Sequence, residues 1–77
     1  MARITTFFRS AGASRPHPTE VECGYQLVNS TTGRLLQLST YGSDDRQSEK
    51  KVSQTIQLGE GAARELRRIL DEFFPGV

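Results

Sequence analysis

The feature that most constrains this chain is a change of hydrophobic period at Gly59. Before that residue three segments carry apolar side chains at alternate positions, and after it they recur every third or fourth residue. A period of two marks strands with one buried face, whereas a period near 3.6 marks an amphipathic helix. Strands are therefore expected first and a single helix last.

In TEVECGYQLV (19–28), Val21, Cys23, Tyr25 and Leu27 share one face, opposite Glu20, Glu22, Gly24 and Gln26. In RLLQLSTY (34–41), Leu36, Leu38 and Thr40 oppose Leu35, Gln37, Ser39 and Tyr41. In VSQTIQL (52–58), Val52, Gln54, Ile56 and Leu58 oppose Ser53, Thr55 and Gln57, and the apolar set is expected to be buried with Gln54 as its misfit. Cys23 falls on a buried face too, where a thiol is usually inert. A further strand is expected in RITTFFR (3–9), rich in β-branched and aromatic residues, before an irregular connection at SAGASRPHP (10–18). NSTTG (29–33) supplies turn chemistry for a hairpin, and GSDDRQSEKK (42–51) forms a polar loop.

From Glu60 onwards, Ala62, Leu66, Ile69, Leu70 and Phe73 form one helical stripe, which Pro75 and Gly76 terminate. Gly59 or a neighbour occupies the cap, and Glu60 complements the helix dipole. The i, i+4 pairs Glu60–Arg64, Arg67–Asp71 and Arg68–Glu72 are worth about 0.2–0.5 kcal/mol each and read as a solvated helix face. The expected fold is α+β: one domain over 1–77, a four-stranded antiparallel sheet followed by a C-terminal amphipathic helix. One helix can cover only one sheet face, so the other must meet water, a ligand or a partner. A chain this short draws roughly 3–5 kcal/mol of net stability from a single core. Self-association through Leu66, Ile69, Phe73 and Phe74 would add to that.

Several classes of function find no support. With Cys23 as its only cysteine, the chain can form neither an intramolecular disulfide nor a multi-cysteine metal site, which suits a reducing compartment. No apolar run approaches the roughly 20 residues of a membrane span, and MARITTFFRS lacks the apolar core of a signal peptide, so a cytoplasmic protein is expected. His17, the only histidine, sits between prolines with no oriented nucleophile, so no catalytic residues are expected. Asp44 and Asp45 lack calcium-loop spacing, phosphate-binding glycine loops are absent, and neither a metal nor a cofactor is expected.

What remains is a polar sheet face. Gln37, Ser39, Ser53, Thr55 and Gln57 offer uncharged hydrogen-bonding groups beside Tyr41, bordered by Arg34, Arg46, Lys50 and Lys51. A platform for single-stranded nucleic acid needs cations to follow phosphates and aromatic surface on which bases stack. The same residue types also suit the solvated face of an ordinary antiparallel sheet, and on the residues alone the two readings weigh evenly. Net charge is only +1, and Glu20, Glu22, Asp44, Asp45 and Glu49 offset nearby bases, so any basic character is local. Arg3, Arg9 and Arg15 give the first nineteen residues a charge of +3 with no acid. The alternative is a protein-interaction module, an adaptor or inhibitor using the same face or a strand edge.

The run GRLLQLSTYG, followed by EKKVSQTIQLGEGAARELRRIL, resembles the single-stranded-DNA-binding domain of the transcriptional positive cofactor four family over about residues 25–74. The resemblance implies a homodimer with helices at the subunit interface, a groove for unpaired strands and a role in transcription regulation. By position, Lys50 and Lys51 match the family's basic residues before the last strand, Arg34 the basic residue opening the preceding strand, and Tyr41 an aromatic. Where the family carries glycine beside its lysines, this chain continues directly with Val52 and Ser53.

Overall fold

The computed structural model describes residues 1–42 and 51–77. Most of the polar loop expected at 42–51, including Arg46 and Lys50, therefore lies outside the described residues. The elements are β1 (Ala2–Ile4), β2 (Cys23–Ser30), β3 (Gly33–Tyr41), β4 (Val52–Leu58) and α1 (Glu60–Phe73). This is the expected ββββα order.

The β-hairpin follows from its turn residues. Ser30 pairs with Gly33 across Thr31 and Thr32, and Gly33 takes a φ of 137°, a conformation that favours glycine. The Ser30 hydroxyl donates to the Gly33 carbonyl at 2.8 Å and accepts the Thr32 N–H at 3.3 Å. The turn is thus fastened from inside. Beyond it Leu27 faces Leu36 and Tyr25 faces Leu38, while Leu36 and Leu38 face Leu58 and Ile56 of β4. That register keeps most apolar side chains of three strands on one side of the sheet, with the pair Val28 and Leu35 on the other.

The strand order β1-β4-β3-β2 corrects the expected all-antiparallel sheet, because β1 runs parallel to β4, with Ala2, Arg3 and Ile4 opposite Ile56, Gln57 and Leu58. No hairpin constrains the direction of β1. Its connection crosses from one outer edge to the other over residues 5–22, long enough for either direction. The strand expected over 3–9 shortens to 2–4, since Phe7, Phe8, Arg9 and Ser10 leave the sheet edge and line a shallow hollow with Arg68, Ile69, Glu72 and Phe73 of α1. Arg9 pairs with Glu72 at 3.1 Å and lies 5.2 Å from the centre of the Phe73 ring. The second strand begins at Cys23 rather than near Thr19, leaving Val21 exposed outside it.

Burial departs further from expectation. Among the described residues the buried apolar side chains are Leu35, Leu58 and Ala62, and Leu58 alone is a large side chain almost fully enclosed, at 2% exposure. Leu58 stands between its cross-strand partners Leu36 and Ile4. Ile4, Leu38 and Ile56 are half-buried, and the outer part of the apolar side is open: Tyr25 is 80% exposed, Leu27 61%, and Cys23, expected to be buried, is exposed.

The reason is the joint between β4 and α1, where Gly59 is the single connecting residue. One residue gives too little chain to reverse direction and lay the helix back over its own sheet. Contacts between α1 and the sheet are accordingly sparse, the densest being with β4. The radius of gyration is 14.8 Å, against about 11.5 Å for a closely packed chain of this length.

Helix formation itself follows expectation. Gly59 is the N-cap with no side-chain cap bond, the Ala63 N–H donates to the Gly59 carbonyl at 2.9 Å, and Glu60 is the acidic residue of the first turn. Of the three expected ion pairs, Glu60–Arg64 forms at 2.7 Å, whereas Arg68 takes Glu65 at 3.0 Å and Glu72 takes Arg9. Among the described residues no ion pair joins Arg67 and Asp71.

Replacing Leu58 by Ala should cost about 2–5 kcal/mol of stability, read as a lower urea midpoint. Replacing Phe8, which is 84% exposed, should change stability by less than about 0.5 kcal/mol.

Candidate nucleic-acid interface

The side of the sheet opposite Leu36 and Leu58 carries the polar residues, and register arranges them in rows across the strands. Arg3, Gln57, Gln37 and Gln26 form one row, each the ladder partner of the next. Thr55, Ser39 and Gly24 form the row beside it. The Gln57 side-chain amide donates to the Gln37 oxygen at 2.8 Å, and the Ser39 and Thr55 hydroxyls are 3.3 Å apart. Ser39 is buried at 8% exposure, and Gln37, Thr55 and Gln57 are half-buried. These side chains bond sideways to one another and form a fixed floor.

Tyr41 covers one end of that floor. A Cβ built on Gly24 would lie 3.2 Å from the Tyr41 Cε2, so the ring packs directly against the glycine backbone. Glycine is what allows so close an approach. The Tyr41 backbone N–H also donates to the Glu22 carbonyl at 3.0 Å, fixing this end of β3 against the segment leading into β2. The ring is half-buried.

At the same end the β3–β4 ladder shifts register, stepping from Thr40 opposite Gln54 to Tyr41 opposite Val52. Ser53 is thereby left without a ladder partner, out of step with the floor. Lys51 is exposed just outside β4, its carbonyl accepting the Gly42 N–H at 3.2 Å.

Of the residues expected to form the site, Gln37, Ser39, Tyr41, Thr55 and Gln57 are thus brought together, with Lys51 beyond the shifted end of the ladder. Arg34 is not among them, because it shares the parity of Leu36 and Leu38 and falls on the apolar side. Arg3 and Gln26 join the floor without having been expected there. Parity gave Gln26 to the polar side of its strand, but only the parallel pairing of β1 puts Arg3 beside Gln57. Arg9 is held by Glu72 and Phe73, away from this face. Arg68, on the exposed face of α1, has its basicity raised by its hydrogen bond to Glu65 and by that carboxylate's charge.

Among the described residues no three His, Cys, Asp or Glu side chains are grouped to hold a metal ion. What the face offers chemically is a row of amides and hydroxyls, one aromatic ring and the cations Arg3 and Lys51. No protein-family model, curated protein or solved structure matches this chain.

The Gln37–Gln57 bond lends itself to a double-mutant cycle. Gln57→Leu alone should lower stability by about 1–2 kcal/mol, because it leaves a half-buried amide without its partner. The Gln37→Leu/Gln57→Leu pair should recover at least half of that loss, read by chemical denaturation.

Proposed function

We propose that the protein binds single-stranded nucleic acid without catalysis, as a homodimer, with its polar sheet face as the contact surface. The observation that carries this reading is the row Arg3, Gln57, Gln37 and Gln26, which runs across all four strands, one row away from the Gly24 on which the Tyr41 ring packs. Amides that already hold one another in place present their remaining donors and acceptors to unstacked bases at little further entropic cost. Tyr41 supplies aromatic surface for a base, and Arg3 and Lys51 stand where phosphates would pass. Arg46 and Lys50 extend the basic rim by sequence, whereas Arg34, on the apolar side at the start of β3, stands apart from it. Ser53, out of step with the floor at the shifted end of the ladder, stands outside this surface.

Leu66, Ile69 and Phe73 of α1, with Phe74 at its C-cap, belong to the dimer contact in this reading. The resemblance to the positive cofactor four domain points the same way and suggests a role in transcription. An exposed Cys23 thiol suits the reducing cytoplasm. Among the described residues no helix is long and apolar enough to cross a membrane.

Fluorescence anisotropy with labelled single- and double-stranded oligonucleotides, titrated at several salt concentrations, tests the proposal. The single strand should bind, and its affinity should fall steeply with salt. The Arg3→Ala/Lys51→Ala variant should bind all sequences more weakly and lower the slope of log K against log salt by about 1.4, because it leaves two phosphates without a cation. Tyr41→Ala should cost about 1–3 kcal/mol if one base stacks there. Absence of binding at low salt would favour the protein-interaction module instead.

A further inference from the structure

The two edges of the sheet are built differently. One ends in β1, which is three residues long and carries Arg3. Short length and charge both discourage a further strand. The other ends in β2, whose eight residues CGYQLVNS hold neither charge nor proline and pair with β3 in an unbroken register. Among the described residues no strand lies beyond it.

One bond shows which backbone groups this edge offers. In an antiparallel pair, opposite residues alternate between exchanging hydrogen bonds and exchanging none. The Tyr41 N–H donates to the Glu22 carbonyl, one step beyond the Cys23–Thr40 pair, so Gly24, Gln26, Val28 and Ser30 also bond to β3. Cys23, Tyr25, Leu27 and Asn29 therefore turn their N–H and C=O groups outwards, and all four residues are exposed. Such an edge is a template for another strand.

We infer that β2 pairs edge to edge with β2 of a second copy, antiparallel about a two-fold axis, in the register that sets Gln26 opposite the partner's Gln26. The occupant is a second copy because the strand complements itself in that register. Tyr25 then meets the partner's Leu27, and Leu27 the partner's Tyr25, which covers side chains that are 80% and 61% exposed. On the polar side Gly24 meets the partner's Val28, small against large. The residues that exchange hydrogen bonds are those already facing outwards: Tyr25 with the partner's Leu27, and Cys23 with the partner's Asn29. Neither the uncharged strand nor a net charge of +1 opposes the approach. The chain exposes 7164 Å², against about 4,700 Å² expected of a folded monomer of 8.6 kDa. Even with the extended segment 5–22 contributing, that leaves room for the roughly 800 Å² per partner of a standard interface.

Paired in this way, two four-stranded sheets become one sheet about 34 Å across. The row Arg3, Gln57, Gln37 and Gln26 continues into the same row of the partner without a break. This contact is separate from the α1 contact of the proposed function. The joined row deepens the nucleic-acid reading, whereas the strand pairing does not depend on it.

Cysteine crosslinking on the full chain tests the register. In a Cys23→Ser background, Gln26→Cys places a thiol at the two-fold axis, in a pair without hydrogen bonds whose Cα atoms lie about 4.5 Å apart, within disulfide reach. Mild oxidation without oligonucleotide should join two chains about tenfold faster than for Val28→Cys, which faces the partner's Gly24. Leu27→Pro removes an outward N–H and should slow the Gln26→Cys crosslink about tenfold while circular dichroism still reports a folded chain. If that variant unfolds, Tyr25→Lys/Leu27→Lys, which sets lysine against lysine, should slow it about as much. Equal crosslinking at the two positions overturns the inference, as does indifference to the blocking changes. So does a Gln26→Cys chain that stays reduced, which would leave the edge to a strand of another protein. A crosslinked pair that binds no labelled single strand removes the nucleic-acid reading alone, and an uncrosslinked chain that binds it leaves that reading standing.

Discussion

Gly59 is the sole residue between Leu58, the best-buried side chain of the sheet, and Glu60, the first of the helix. That brevity governs where each apolar surface ends up. A longer connection would let α1 fold over Leu27 and Leu36 and close a small core within the chain. With one residue the helix leaves the end of β4, and its first turn buries Ala62 but little more. The glycine also sits under Leu35, whose Cδ2 lies 3.6 Å from where a Cβ would stand. Leu35 is thereby buried on the polar side, opposite Val28 of β2 and just beyond the end of the β3–β4 ladder.

From this constraint follows an inversion of what is open and what is closed. The face with the more apolar side chains is the more exposed, while the face built of Ser, Thr and Gln is closed by its own side chains. Ser39 is hydrogen-bonded to Thr55, Gln37 to Gln57, and Tyr41 lies over Gly24. Burying these polar groups is tolerable because each has a partner, and among the described residues no buried side-chain polar atom lacks one. A rigid polar floor and an open apolar face suit different partners. The first presents fixed hydrogen-bonding groups, and the second needs a dry surface of matching shape.

The N-terminal segment ties the two regions together. Through β1 it places Arg3 beside Gln57, and through Phe7 and Arg9 it reaches Phe73 and Glu72 near the end of the helix. Two of its three arginines divide accordingly: Arg3 joins the polar face and Arg9 is held at the helix, so the +3 charge does not act as one patch. The exposed Arg9–Glu72 pair is worth no more than about 1 kcal/mol. The ring contact with Phe73 adds a similar amount.

The sequence by itself determined the elements, their order and which residues share a face. The bounds of β4 and α1 could be read from periodicity because a strand's alternation and a helix's stripe are local properties of consecutive residues. The Gln37, Thr55 and Gln57 face was legible for the same reason. Three matters were decided only by tertiary structure. The direction of β1 depends on pairing across more than fifty residues, and with it the arrival of Arg3. The loss of Ser53 from the floor depends on a register shift between strands, which one strand's alternation cannot reveal. The exposure of Cys23, Tyr25 and Leu27 depends on where α1 can reach, because a hydrophobic pattern states which side avoids water but not which surface will cover it.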